Sequence, residues 1–347
     1  MKLILFFTLG LLLLHGVHGG WTKFTPGFTL NTCATSFNQS LYILGGKTPH
    51  SARSYGTVLN STLQLSTMPP LLENRGWNGC GHDADGNIYI VGGAFTESAT
   101  GFAGFESGTT KVQVFNGTHW SWGPSMASPR WYHDVSTLGG NLYATGGFDN
   151  LLNTLASVEM LDPAVGEWAA VAPMANGPRA RHGSAVLGNL LYVMGGCTDY
   201  GCTAGHIVGS VEVFYPGAKA WTKLDDSALP APRSYFGTAV LGSSILVIGG
   251  CTDFSCRAEP GAVWRFQQTG TPHAFSGSWS NAAPFPAQHV FGQGGFGPAA
   301  ATVTDDAGVG TVYFVAWTEG GIKCVGAGEC FNQTTTEEEE VAVDASA

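Results

Sequence analysis

Charge is scarce in this chain: Lys, Arg, Asp and Glu together make only 12% of its 347 residues. That leaves too few polar side chains to solvate long helices and favours turns and strands. Basic residues are the scarcer sign, 15 against 25 acidic, and the net charge of -10 excludes nucleic-acid binding through phosphate neutralisation. Glu337 to Glu340 and Asp344 place part of that charge in an acidic tail, 333–347, too polar to pack. Past residue 20 no apolar run approaches the roughly twenty residues of a membrane-spanning helix. Histidines at metal-ligand spacing, a nucleophile elbow, a phosphate loop and a clustered acid pair are all missing, so neither a metal nor another cofactor is expected.

What is present begins with an apolar run from Leu3 to Leu14 behind a single lysine, followed by the small residues Val17 and Gly19. This pattern predicts a secretory signal peptide over 1–20 and a soluble, exported mature protein. Sequons at Asn38, Asn60, Asn116 and Asn332 suit the exposed loops of a secreted glycoprotein. Eight cysteines, none inside the leader, suit an oxidising compartment.

Glycine, 50 of 347 residues, is about twice its usual share of roughly 7%. Its placement carries the main signal. LYILGG, IYIVGG, LYATGG, LYVMGG and ILVIGG each end in a glycine pair, and the first glycines, 45, 92, 146, 195 and 249, are spaced by 47, 54, 49 and 54. A period near 50 points to a propeller. SVEMLDPAVGEW, SVEVFYPGAKAW and KVQVFNGTHW repeat a strand, a turn and a tryptophan, and a further strand precedes each glycine pair. Each unit is therefore four short antiparallel strands.

These markers resemble the kelch family, over about residues 21 to 325: a glycine pair ending the second strand, a V-E-x-aromatic third strand and a tryptophan on the fourth. The resemblance implies an all-β, six-bladed propeller, with Trp122, Trp168 and Trp221 filling the wedges between blades. VYFVAW, inside the hairpin Gly297 to Trp317, lacks the glycine pair and is expected as a degenerate sixth unit. Trp21 to Phe24 matches Trp221 to Leu224, so the N-terminus is expected to complete the last blade, giving a propeller over 21–332.

Loops joining strand two to three, and blade to blade, emerge on one side of such a disc. There, Arg75, Arg130, Arg179 and Arg233 stand sixteen or seventeen residues before a first glycine. Two residues on come Trp77, Tyr132, Arg181 and Tyr235, which should point the same way. Together they form a candidate ring for an anionic or sugar ligand, through guanidinium contacts and ring stacking. Kelch resemblance also implies the alternative that the first arginines brace loops through backbone carbonyls. His133 and His182 share one repeat position, as packing residues or as ligands.

Cys197 with Cys202, Cys251 with Cys256, and Cys324 with Cys330 are expected as local clips. Cys33 and Cys80 occupy equivalent inner-strand positions and are either bridged between blades or free thiols. Asp199 and Asp253 repeat within CTDYGC and CTDFSC and are expected as loop caps rather than calcium ligands. Two functions follow: a secreted, monomeric, non-catalytic propeller binding a glycan or protein, as the propellers of attractin and muskelin suggest, or a sugar-acting enzyme similar to the kelch sialic-acid mutarotases. A pocket carboxylate beside the arginines separates them, and Glu73 and Asp134 are the candidates. Galactose-oxidase-type copper enzymes share the architecture, but their tyrosine and histidine copper set cannot be assembled here.

Overall fold

The computed structural model describes residues 11–17, 20–24, 32–46, 56–60, 64–95, 107–253, 262–271, 274–282, 299–304, 310–317, 322–325 and 329–332. Five four-stranded antiparallel sheets follow one another along the chain. Blade one has Cys33–Phe37 innermost, then Ser40–Leu44, Gly56–Leu59 and Leu65–Thr67. Blade two runs Gly79–His82, Ile88–Val91, Val112–Phe115 and Trp120–Gly123, and blade three Asp134–Leu138, Asn141–Thr145, Val158–Asp162 and Glu167–Val171. Blade four has Gly183–Leu187, Leu190–Met194, Val211–Tyr215 and Ala220–Lys223; blade five has Gly237–Leu241, Ser244–Ile248, Val263–Thr271 and Ala274–Asn281.

Five such blades are found among the described residues, not the six expected. Residues expected as the sixth unit lie instead in a six-stranded sheet, ordered Ala299–Thr304, Gly310–Trp317, Leu11–Val17, Gly20–Phe24, Ile322–Val325 and Glu329–Asn332. The second strand of that sheet offers an eight-residue edge, and the apolar run expected as a leader covers it, from Leu11 opposite Trp317 to Gly16 opposite Val312. Gly20–Phe24 is thereby fourth from the axis, paired to Leu11–Val17. The inner strand Ala299–Thr304 packs against the inner strands of blades five and one, which closes the ring. The tail 333–347 falls outside the described residues.

The core lies between blades rather than within them. Every residue of Leu190–Met194 and Ser244–Ile248 is buried, because a neighbouring sheet covers each face. Tyr192, Val213, Phe236, Val247, Trp264 and Phe266 join blade four to blade five, and Leu41, Ile43, Leu59 and Val303 join blade one to the closing sheet.

Fourth-strand tryptophans latch each blade to the preceding one. The indole N–H groups of Trp120, Trp168, Trp221 and Trp279 donate to the carbonyls of Pro69, Pro124, Ala172 and Ser227, at 2.8 to 3.0 Å. Trp120, not the expected Trp122, takes this place in blade two. It is register partner to Phe115 as Trp168 is to Leu161 and Trp221 to Phe214. Trp122 is 51% exposed under the Lys111 ammonium.

Candidate functional site

All five glycine pairs have positive φ, and one pair shows why no side chain is tolerated. A Cβ on Gly195 would lie 2.6 Å from the carbonyl oxygen of Arg233 in the next blade, while the N–H of Gly196 donates to that same oxygen at 2.8 Å. The same donation recurs from Gly46 to Arg75, Gly93 to Arg130 and Gly147 to Arg179. Each arginine carbonyl thus ties its blade to the one before.

The arginine side chains hold their own blade. Arg75, Arg130, Arg179 and Arg233 are almost wholly buried, and Nη1 of each donates to the first-glycine carbonyl, of Gly92, Gly146, Gly195 and Gly249, at 2.7 to 3.0 Å. Charge compensation changes from blade to blade. Arg130 and Arg179 pair with the third-strand glutamates Glu159 and Glu212, at 2.9 and 3.0 Å. Blade two has Gln113 at that register, and Arg75 pairs with Glu73 instead, which also binds Lys111. In blade five the register position is Trp264, and the Arg233 guanidinium lies 4.2 Å from its ring centroid. Gln113, Glu159 and Glu212 also anchor the loop entering the blade, because their side-chain oxygens accept its backbone N–H groups.

Trp77, Tyr132, Arg181 and Tyr235 are brought together. Each has a left-handed backbone, with φ of 53, 52, 56 and 54°. The residue before each, Gly76, Trp131, Ala180 and Ser234, bridges to the residue just after the glycine pair, Ala94, Phe148, Cys197 and Cys251. The left-handed turn then throws the chain toward the axis. There the N–H of Tyr132 donates to the Trp77 carbonyl, Arg181 to Tyr132 and Tyr235 to Arg181, at 2.9 to 3.0 Å. Four consecutive blades are stitched by this relay.

Arg181 is the hub. Its guanidinium carbon lies 4.6 Å from the Tyr132 ring centroid, 4.7 Å from Tyr235, 4.9 Å from Phe148 and 5.3 Å from Tyr200. Nη1 donates to the Tyr200 carbonyl at 2.6 Å, inside the loop closed by the Cys197–Cys202 disulfide. Trp77, Arg181 and Tyr235 are buried, whereas Tyr200 is 45% and Leu151 80% exposed on the same side. Phe148 and Tyr200 lie in post-glycine loops that the sequence places on this face, but neither is singled out there as a partner of the ring. A signal for them exists: aromatic residues follow the glycine pair in GGF and in CTDY and CTDF, where only the aspartates attract notice.

All four ring residues, Trp77, Tyr132, Arg181 and Tyr235, line an axial cavity of about 110 Å³, together with Asn78, His133, Asp134 and His182. Of the two acidic candidates only Asp134 reaches it. Both its oxygens are engaged by backbone N–H groups, of Val135 at 2.9 Å and Ser184 at 2.6 Å. Burial raises its carboxyl to about 6. Burial, and the Arg130 cation behind it, pulls the His133 imidazole down to about 3. His182 is buried too, bonded to Thr145 Oγ1 at 2.9 Å, and is likewise pulled well down. No cluster of metal-ligating side chains occurs among the described residues.

Cys33 and Cys80 form a disulfide between blades one and two, Cα atoms 5.7 Å apart at neighbouring inner strands, so the bridged alternative holds. Cys251 is disulfide-bonded, and Cys256 lies outside the described residues. Cys324 and Cys330 are register partners, with side chains not described. Asp199 caps its loop through the N–H and hydroxyl of Thr203.

Comparison with known proteins agrees with this geometry. Residues 31–250 match the KLHDC2/KLHL20/DRC7 Kelch-repeats domain. Mouse Kelch-like protein 35 is 35% identical over 144 residues, 41% of this chain and 23% of that protein. Beta-scruin of Limulus polyphemus is 26% identical over 67% of this chain and 26% of its own length, and zebrafish Kelch-like protein 26 is 24% identical over 63% and 35%. The match thus spans about a quarter to a third of these relatives. The solved structure of YjhT superposes with a TM-score of 0.62 at 12% identity, covering 88% of this chain and 97% of that one, a likeness of fold. With more than half its length matched by the family model, the chain belongs to the kelch-repeat family of β-propellers.

Proposed function

We propose that this propeller is a secreted, non-catalytic binding module whose loop face, around the axis, takes a glycan or a protein ligand. One observation carries the reading. Of nine non-glycine residues with positive φ among the described residues, six lie on that face: Trp77, Tyr132, Leu152, Arg181, Cys202 and Tyr235. Bulky residues hold this conformation only where the surroundings enforce it, and such strain gathers at functional sites. In this reading the ring, buried except for the half-buried Tyr132, is a rigid floor, and Tyr200 and Leu151 are the groups a ligand meets first. The four braced arginines act through the framework they hold.

Secretion is supported by the leader-like first twenty residues and by disulfides, which persist in oxidising compartments. Cleavage after residue 20 would take Leu11–Val17 out of the closing sheet and leave closure to Trp21–Phe24. The test is a glycan array, run beside a screen of extracellular protein ectodomains, with wild type and a Tyr200→Ala variant. A bound class that is lost in the variant is the expected result. Binding that survives Tyr200→Ala at full strength would place the site elsewhere.

A further inference from the structure

The sequons among the described residues of the five blades all fall on one side of the disc. In each blade the turns joining strands one to two and three to four open away from the glycine-pair loops. Asn38 lies in the first such turn of blade one, Asn60 beside the second, and Asn116 in the turn between strands three and four of blade two. No sequon of the five blades falls on the loop face among the described residues, whereas Asn332 ends Glu329–Asn332 opposite Ile322, at the loop-side end of the closing sheet.

Two of these asparagines are fully described with their sequons, and both present the reacting atom. Asn38 is exposed, with φ 45° and its successor Gln39 at φ 58°, the two left-handed residues of a tight hairpin turn. Asn116 is exposed, and its Oδ1 accepts from the N–H of Thr118 at 3.1 Å, the Thr118 hydroxyl at 2.8 Å and the His119 N–H at 3.0 Å. The Nδ2 of each makes no hydrogen bond among the described residues.

We infer that the turn face of blades one and two carries N-linked oligosaccharides at Asn38, Asn60 and Asn116, and that the loop face of the five blades stays bare for its ligand. The inference rests on the secreted reading above. In the transfer, the asparagine Nδ2 loses one proton and bonds to the anomeric carbon of a lipid-diphosphate-linked oligosaccharide. The bond from that carbon to phosphate oxygen breaks, and the lipid diphosphate leaves with the electron pair.

The test expresses the whole chain in a glycosylating secretory host, behind its own N-terminus and, separately, behind a heterologous leader replacing residues 1–20. In an Asn332→Gln background, peptide N-glycosidase should remove one mass step for each of the three sites. Asn38→Gln, Asn60→Gln and Asn116→Gln should each delete one step, and Ser40→Ala and Thr118→Ala should match the first and third. Hydroxyl-radical footprinting before and after deglycosylation should show His119 gaining label while Tyr200 and Leu151 keep theirs unchanged. Secreted protein with these asparagines bare, or glycan protection of Tyr200, would overturn the inference. Failure of the native N-terminus alone, with occupied sites behind the heterologous leader, would sink the secretion reading and leave the one-sided geometry standing.

Discussion

At the scale of single residues, the buried arginines behave as braces whose counter-charge can move. Arg130→Ala would strand Glu159 in the interior and should cost about 3–5 kcal/mol in chemical denaturation. Glu159→Gln copies blade two, where Gln113 stands, but without the acid at the position of Glu73, which in blade three is Ser128. It should cost roughly 3 kcal/mol, and adding Ser128→Glu should restore most of that; additive losses would show that the two arrangements are not equivalent. Acid should also unfold the ring. His133 and His182 are held neutral far below their unfolded pKa near 6.5, so the unfolded chain takes up protons that the folded one refuses, and stability falls as pH drops below about 6.5. Asp134, raised to about 6, binds its proton earlier in the folded state and opposes the loss between about 6 and 4. Two imidazoles outweigh one carboxyl. A melting temperature that rises from pH 7 to pH 4.5, or a His182→Gln variant with an unchanged pH slope, would contradict this. The arginine spacing was legible because four copies repeat it. The partners were mostly not, since Glu159, Glu212 and Trp264 meet their arginines only through strand register; Glu73 alone stands beside its arginine in the sequence.

At the scale of the element, strand alternation alone cannot choose between Trp120 and Trp122, which share a phase two residues apart. Register chooses: only Trp120 faces Phe115 and reaches the Pro69 carbonyl. Trp120→Phe should therefore cost about 1 kcal/mol for the lost hydrogen bond, while Trp122→Phe, at a half-exposed site, should stay within about 0.5 kcal/mol. Equal midpoints for the two variants would undo the latch. The blades themselves were readable, strand by strand, because glycine pairs, hairpin turns and third-strand V-E-x segments keep their order. The aromatic enclosure of Arg181 was not, because Phe148 and Tyr200 reach it from loops in two different blades.

At the scale of the whole molecule, the closing sheet is where sequence reasoning fell short, since the apolar run that fills its third position has the composition of a leader. Away from that seam, Cys33–Cys80 ties blade one to blade two and spans 47 residues, against 5 for Cys197–Cys202. Chain entropy then assigns about 4 kcal/mol to the first bond and about 2 kcal/mol to the second. Cys33→Ala with Cys80→Ala should lower stability more than Cys197→Ala with Cys202→Ala, and the reverse order would mean that the blades are held otherwise. The central claim is that ligand binds the loop face. Calorimetric titration of the ligand found on the array tests it, comparing the Leu151→Ser, Tyr200→Ala double variant with Val165→Ser, a 67% exposed residue on the opposite turn face. Loss of about 2 kcal/mol, roughly thirtyfold in affinity, is predicted for the double variant and no change for Val165→Ser; weakened binding in Val165→Ser with the double variant unaffected would contradict it.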